Sequence, residues 1–154
     1  MTLLKSYYQL CKPNVVYMML ICAFVGMLLA EQTVSSYSYL FISLTGIALC
    51  AASAAAINQV VDREADASMT RTDQRPLPKG DLSVTHASIF AFVIGLLGAL
   101  ILYLYVNTLT MILTIGSLIG YAFIYTVYLK RATPQNIVIG GLAGAAPPLL
   151  GWSS

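Results

Sequence analysis

Apolar residues in this chain fall into long, nearly uncharged blocks that are separated by short polar stretches. A helix needs about 20 mainly apolar residues to cross a bilayer. Four blocks reach or approach that length, and a fifth opens near Gln135 and is cut off at Ser154. The pattern therefore predicts an all-α, multi-span transmembrane helix bundle. Its spans are expected at about residues 14–30, 39–60, 87–105, 109–129 and, incomplete, 135–154.

The fifth block is rich in glycine and alanine and contains two adjacent prolines. Gly140, Gly141 and Gly144 include a small-xxx-small spacing, which is suited to close packing of helices. Pro147 and Pro148 each lack a backbone N–H donor, and a proline ring clashes with the preceding helical turn. We therefore expect these prolines to break or kink the fifth helix.

The composition agrees with a membrane protein, because 58% of the 154 residues are hydrophobic and only 9% are charged. The net charge of +2 is small, and no basic cluster alternates with aromatic residues, so we expect no nucleic-acid partner. Cys11, Cys22 and Cys50 are far apart and form no C-x-x-C motif or Cys/His pair. We expect them to be small buried apolar side chains rather than disulfides or zinc ligands.

The lysines and arginines indicate how the chain is oriented in the membrane. All eight lie before the first span, between the second and third spans, or after the fourth: Lys5 and Lys12; Arg63, Arg71, Arg75 and Lys79; Lys130 and Arg131. The other two connections contain none. By the positive-inside rule, the N-terminus and the loop 61–86 are expected to face the cytoplasm, in a multi-pass protein of the cell (inner) membrane.

The acidic residues are also unevenly placed, since five of the six lie in the loop 61–86: Asp62, Glu64, Asp66, Asp73 and Asp81. Topology requires only the basic residues there, so the acids indicate chemistry. If the second helix continues through residue 66, Asn58, Asp62 and Asp66 lie four residues apart on one helix face. We call these three residues the acidic face.

Two carboxylates one helical turn apart repel each other, and their position at the end of an apolar span adds a desolvation cost. A divalent cation offsets both effects. Mg²⁺ typically binds one or two carboxylates together with waters and substrate phosphates. The acidic face therefore favours half of an Mg²⁺–diphosphate site, and a solvated helix end is the alternative that remains open.

The stretch R-T-D-Q-R-P-L-P-K-G follows and places Arg71, Arg75 and Lys79 four residues apart. Its prolines indicate a loop rather than a helix. Such cations can bind phosphate oxygens, arginine in bidentate fashion, and can neutralise a diphosphate leaving group. The alternative is that these residues only set the topology.

The stretch N-Q-V-V-D-R-E-A-D-A-S-M-T-R-T-D-Q-R-P-L-P-K-G resembles the first Asp-rich motif of the UbiA superfamily of intramembrane prenyltransferases. That motif reads N-x-x-x-D-x-x-x-D followed by R-T-x-x-R-P-L-x-x-G. Residues 7–29 and 128–152 are similar to segments of the protohaem IX farnesyltransferase (haem O synthase) branch of that superfamily. The likeness extends from about residue 5 to residue 152.

The resemblance implies that a farnesyl group is transferred from farnesyl diphosphate to a vinyl group of haem B, giving haem O and diphosphate. It also implies about nine spans in two halves, each with an Asp-rich motif. The acidic face matches the first motif, as Mg²⁺ ligands and catalytic residues, and the three basic residues match its diphosphate-binding tail. No second D-x-x-x-D occurs here. We therefore expect residues 1–154 to be the N-terminal half of one such domain and to be inactive alone. The resemblance also makes terminal oxidase assembly proteins candidate partners.

Four further side chains each allow two interpretations. Lys12, at the cytoplasmic mouth of the first span, is placed to contact a phosphate or a haem propionate, or only to set the topology. His86 lies near the start of the third span and fits a helix-start residue better than a haem ligand. Tyr121 and Tyr125 are one turn apart and fit helix packing better than the lining of a cavity.

Three other functions compete with haem farnesylation. A UbiA-type prenyltransferase acting on an aromatic acid or a quinone precursor has the same acidic face. A small divalent-cation transporter is disfavoured, because a permeation path needs ionisable groups near mid-membrane and the four full spans hold none there. A structural subunit that only anchors partners leaves the charge of residues 62–81 unexplained.

Overall fold

The computed structural model describes residues 3–30, 37–129 and 136–154, and this part of the chain is all-helical, which confirms the predicted fold class. Six α-helices and one π-helical segment follow each other within these residues. They are α1 (Leu3–Leu10), α2 (Pro13–Leu29), α3 (Tyr37–Ala67), α4 (Val84–Tyr105), α5 (Thr108–Ile119), the π-helical segment Gly120–Leu129 and α6 (Asn136–Trp152).

Two of these helices, α3 and α4, are each long and apolar enough to cross a membrane. The pair α1 and α2 meets the same requirement as one span, bent by 45° between the two helices. The apolar helical stretch Thr108–Ala122, which is α5 with the first residues of the π-helical segment, is shorter. Within the described residues, the structure thus supports two spans, or three with the bent pair. The fourth predicted span continues from α5 into the π-helical segment, and its status as a full span stays a prediction.

The third helix, α3, extends further than the predicted span 39–60, because it continues to Ala67. The first seven residues of the predicted loop 61–86 are therefore helical, and the connection to α4 is residues 68–83. At 1.5 Å per residue, 31 residues measure about 46 Å, whereas the hydrocarbon core is about 30 Å thick. The end of α3 that carries the acidic face can therefore reach the membrane surface.

Small residues bring α3 and α4 close together. A Cβ atom added to Gly98 would lie 2.8 Å from the carbonyl oxygen of Gly46 and 2.8 Å from the sulfur of Cys50. Nearer the acidic face, the Ser53 hydroxyl donates a 2.7 Å hydrogen bond to the carbonyl oxygen of Ala91. Membrane helices lack a hydrophobic driving force between them, so such close backbone approach is a main source of stability.

The helix α6 packs against α2, but not through Gly141 or Gly144, and the surroundings of Gly140 lie outside the described part of the structure. Nothing lies within 4 Å of a Cβ added to Gly141 or Gly144, so close packing at these two positions was wrong. The contact is further along, where a Cβ added to Gly151 would clash with the carbonyl oxygen of Ala23, and one added to Gly26 would clash with that of Pro148. Sequence spacing identified small residues but not the face that meets α2.

The predicted break at Pro147 and Pro148 was wrong, because α6 continues through both prolines to Trp152. Pro147 is buried and the backbone of Pro148 contacts Gly26, so packing against α2 supports this part of the helix. Neighbouring helices commonly make prolines tolerable in membrane helices.

The cysteines follow the predicted burial only in part. Cys50 is buried, Cys11 is partly buried and Cys22 is exposed, and all three are free thiols. Cys22 differs because it lies on α2 next to Ile21, which is exposed like it, while the adjacent Ala23 faces the core.

The connection 68–83 is folded back onto the ends of the helices. Leu77 and Leu82 are buried in one apolar cluster with Leu10 of α1 and Ala87 of α4. The carbonyl oxygen of Pro76 accepts hydrogen bonds from the backbone N–H groups of residues 81 and 82, at 2.9 and 3.3 Å. This apolar packing holds the connection, which carries Arg75, against the ends of the helices.

Because α2 and α6 approach so closely at Gly26, we predict that Gly26→Ala lowers the free energy of unfolding by about 1–3 kcal/mol, the usual cost of overpacking. The matched control is Gly116→Ala, since Gly116 is helical with nothing within 4 Å of an added Cβ. Alanine favours helix by up to about 1 kcal/mol over glycine, so this control should be neutral or stabilising. Thermal unfolding of the purified protein in micelles measures both, and equal shifts would contradict the packing described.

Candidate active site

The acidic face is buried at the end of α3. Asn58, Asp62 and Asp66 are 5%, 5% and 6% exposed, and the helix that places them on one face extends through Ala67, as the sequence predicted. The Asn58 side-chain nitrogen donates a 3.1 Å hydrogen bond to a carboxylate oxygen of Asp62. The acidic face is therefore not a solvated helix end, and its charges must be compensated within the protein or by a ligand.

Lys12 is one cation that the fold brings to this face. Its ammonium group donates a 2.5 Å hydrogen bond to the side-chain oxygen of Asn58. Lys12 lies between α1 and α2 with φ 49° and ψ 60°, in the left-handed region that non-glycine residues rarely adopt. Pro13 follows at the first position of α2, where its fixed φ suits a helix start. Lys12 therefore contacts the acidic face, and its binding of a phosphate or a haem propionate stays a prediction.

Arg75 is the second cation at this face. Its guanidinium lies 2.5 Å from a carboxylate oxygen of Asp66, and the two side chains are 30% and 8% exposed. The hydroxyl of Thr72 donates a 2.9 Å hydrogen bond to the backbone carbonyl oxygen of Asp66, which ties the connection to the last turn of α3. The predicted association of the basic stretch with the acidic face is therefore present at Arg75.

Arg71 and Lys79 are placed differently from Arg75. Both side chains are exposed, and neither makes a hydrogen bond or an ion pair with another described residue. They lie in the same connection as Arg75, but no contact joins their side chains to the acidic face within the described residues. Their predicted binding of a diphosphate stays a prediction.

Two residues of the site were missed in the sequence. Thr126, fully buried in the π-helical segment, accepts a 3.1 Å hydrogen bond from the Asn58 side-chain nitrogen and donates one of 2.8 Å to the carbonyl oxygen of Tyr121.

Gln59 is the second missed residue. It is 2% exposed, and its side-chain nitrogen donates to the carbonyl oxygens of Gln9 and Leu10 at 3.1 and 2.9 Å. An uncharged amide inside an apolar helix usually has a buried partner, so Gln59 carried a usable signal.

The acidic face fits one end of a magnesium site. Within the described residues, no group of three or more His, Cys, Asp and Glu side chains is close enough to hold a metal ion. Mg²⁺ does not need such a group, because it commonly binds one or two carboxylates and completes its shell with water and phosphate. Asp62 and Asp66 can supply those carboxylates. Since the Asn58 oxygen accepts from Lys12, ligation by Asn58 stays a prediction.

An apolar cavity of about 270 Å³ lies next to the acidic face. Its α3 wall runs from Ile47 to Ala55, so it ends less than one turn before Asn58, and Lys12 also lines it. Tyr121 lines the cavity too and stacks on Tyr125 with 5.6 Å between ring centroids, so our preference for packing alone was wrong for Tyr121. The site thus joins a charged end to an apolar chamber.

His86 has the helix-start role that the sequence favoured. It is exposed near the beginning of α4, where its backbone N–H donates 3.2 Å to the hydroxyl of Ser83, the N-cap residue. Its ring nitrogen Nδ1 is 2.9 Å from the same hydroxyl. His86 does not line the cavity.

Residues 19–154 match the model of the UbiA prenyltransferase family. The chain is 59% identical over 150 residues to a protein named protoheme IX farnesyltransferase 2 from Pseudoalteromonas atlantica, a match that covers 97% of this chain and 49% of that protein. It is 57% identical to a protoheme IX farnesyltransferase 1 from a Shewanella species and to a protoheme IX farnesyltransferase from Vibrio vulnificus, each match covering 97% of this chain and 50% of the relative. The chain thus spans about half the length of these curated relatives. No solved structure matches it.

From the burial of Asp66 we predict that Arg75→Met lowers the free energy of unfolding by about 1–3 kcal/mol. Removing one partner of a buried ion pair leaves the other charge uncompensated, although water at the partly exposed guanidinium reduces the cost. The matched control is Arg63→Met, because Arg63 pairs with Glu64, whose side chain is 85% exposed, and such pairs contribute about 0–1 kcal/mol. Denaturant titration in micelles measures both variants, and similar effects would show that Asp66 does not depend on Arg75.

Proposed function

The chain belongs to the UbiA prenyltransferase family, and from this we propose that the complete protein is a protohaem IX farnesyltransferase (haem O synthase). It transfers a farnesyl group from farnesyl diphosphate to a vinyl group of haem B, giving haem O and diphosphate. The observation that carries the proposal is the buried acidic face, held next to two cations and an apolar cavity. The names of the relatives favour haem as the acceptor over an aromatic acid or a quinone precursor.

In this proposal, Asp62 and Asp66 hold Mg²⁺, with Asn58 keeping the Asp62 carboxylate in place through its 3.1 Å hydrogen bond. When bound, Mg²⁺ supplies a Lewis acid that neutralises diphosphate charge. A metal ion held by both residues would also offset the repulsion between their charges.

Lys12 and Arg75 supply the positive charge that stabilises the departing diphosphate. Both are anchored, Lys12 on Asn58 and Arg75 on Asp66, so little reorganisation is needed as negative charge develops on the leaving oxygen. Arg71 and Lys79 lie exposed in the same connection, where they bind further phosphate oxygens of the diphosphate in this proposal.

The apolar cavity accepts the farnesyl chain and keeps water from the allylic cation that forms when the carbon–oxygen bond breaks. The terminal haem vinyl carbon then attacks this cation, which moves the positive charge to the vinyl carbon next to the porphyrin ring. A water molecule that enters afterwards adds to that carbon and loses a proton, which gives the hydroxyl of the product. The second Asp-rich motif that the family resemblance implies would lie outside residues 1–154, which span about half the length of the relatives.

For location, we propose a multi-pass protein of the cell (inner) membrane, with the N-terminus and the 68–83 connection on the cytoplasmic side. This is supported by the apolar helices and by the basic residues in that connection. Farnesyl diphosphate is water-soluble and anionic, so a charged site on the cytoplasmic side gives it direct access. Proteins that assemble terminal oxidases are candidate recipients of the product.

We predict that Asp62→Asn in the complete protein lowers farnesyl transfer to haem B by about 100-fold or more, the usual effect of removing an electrostatic group from an active site. The matched control, Glu64→Gln, changes an exposed carboxylate two residues away on α3 and should stay within about twofold. The measurement is radiolabel from farnesyl diphosphate recovered in haem after reconstitution in lipid, with Mg²⁺ or with a chelator. Label in an aromatic acid instead of haem would change the acceptor, and transfer that resists both chelator and Asp62→Asn would contradict the proposed site.

A further inference from the structure

Gln59 lies next to the acidic face in sequence but points to a different partner. It is 2% exposed, and its side-chain nitrogen donates to the carbonyl oxygens of Gln9 and Leu10 at 3.1 and 2.9 Å. These are the last two residues of α1, where helix carbonyls lose their intrahelical partners. Gln59 therefore caps the C-terminus of α1 from the side of α3, across 50 and 49 residues of chain.

The capped end of α1 leads directly into the residue that carries the positive charge. Lys12 follows two residues after Leu10 and holds the left-handed conformation, with φ 49°. For a non-glycine residue this conformation costs about 1–2 kcal/mol, so neighbouring contacts must maintain it. Because Pro13 follows, the right-handed helical region is also disfavoured for the backbone of Lys12. The direction of its side chain thus depends on where α1 ends.

We propose that Gln59 is a positioning residue for the proposed prenyl transfer. By fixing the end of α1, it sets the bend at Lys12 so that the ammonium group meets Asn58 at the mouth of the cavity, where the diphosphate of the substrate binds. This inference rests on the proposed function. Gln59 acts through Lys12 and touches neither substrate nor metal.

The side-chain oxygen of Gln59 indicates that this residue does more than fill space between α1 and α3. Its oxygen Oε1 is buried without a hydrogen-bond partner among the described residues, which costs free energy that an apolar side chain of the same size avoids. An apolar residue at this position would keep the packing of α1 on α3, but it would lose both contacts to the α1 carbonyls. What the glutamine adds is the orientation of the bend.

The test is a double-mutant cycle in the complete protein, with Gln59→Met and Lys12→Met as the two single variants. Methionine keeps the length and approximate volume of glutamine but donates no hydrogen bond. The probe is inorganic pyrophosphate with Mg²⁺, titrated by calorimetry into the protein in lipid nanodiscs, and the kcat and KM for farnesyl diphosphate are measured in parallel.

We expect Gln59→Met alone to raise the Kd of pyrophosphate about tenfold, as does Lys12→Met, each corresponding to one lost charge-assisted contact. In the Lys12→Met background, Gln59→Met should change the Kd by less than about twofold, because the group it positions is already absent. The KM for farnesyl diphosphate should follow the same pattern.

Ser53→Ala is the matched control, since Ser53 is also buried on α3 and also donates to a backbone carbonyl of a neighbouring helix. It should lower thermal stability while leaving the Kd within about twofold in both backgrounds. If Gln59→Met does not fold, Gln59→Leu carries the same cycle, because leucine also offers the carbonyls no donor and adds no charge beside the acidic face.

Equal losses from Gln59→Met with and without Lys12 would overturn the positioning role, and so would an unchanged Kd in the single variant. If the wild type transfers farnesyl and binds pyrophosphate, those outcomes contradict only the positioning role of Gln59 and leave the proposed function intact. A wild type that neither binds pyrophosphate nor transfers farnesyl overturns the proposed function, and this inference with it.

Discussion

The structure depends on one electrostatic constraint, which is that two carboxylates are buried at the end of an apolar helix. Asp62 and Asp66 are 5% and 6% exposed, where uncompensated negative charge is very costly. The chain answers by bringing cations and donors from distant segments to the last turns of α3. Arg75 comes from the connection 68–83, and Lys12 from the bend between α1 and α2 reaches Asn58 beside Asp62.

Apolar packing makes that convergence possible. Leu77 and Leu82 anchor the connection in a cluster with α1 and α4, while small residues bring α4 close to α3 and α6 close to α2. These contacts leave a cavity of about 270 Å³ between the helices, directly below the charged end. A substrate with a diphosphate head and a long apolar tail is complementary to this arrangement in both of its parts. The site therefore consists of a charged end of α3 next to an apolar cavity.

Sequence patterns predicted what depends on neighbouring residues. The apolar blocks gave the helices, and the four-residue spacing gave the acidic face once α3 was continued past residue 60. What could not be predicted were contacts between distant segments, because hydrophobicity does not encode which helix faces meet. Lys12 and Asn58 are 46 residues apart, and Asn58 and Thr126 are 68 apart. The packing of Gly151 on Ala23 was missed for the same reason, as was the continuation of α6 through Pro147.

The central claim is that the acidic face binds a divalent metal together with a diphosphate. Electron paramagnetic resonance of Mn²⁺, a spectroscopic substitute for Mg²⁺, tests it most directly in the complete protein. The account predicts that inorganic pyrophosphate greatly increases the amount of Mn²⁺ bound, and that this increase disappears when Asp62 and Asp66 are both replaced by asparagine. Mn²⁺ binding that is indifferent to pyrophosphate, or that survives the loss of both carboxylates, would contradict the account.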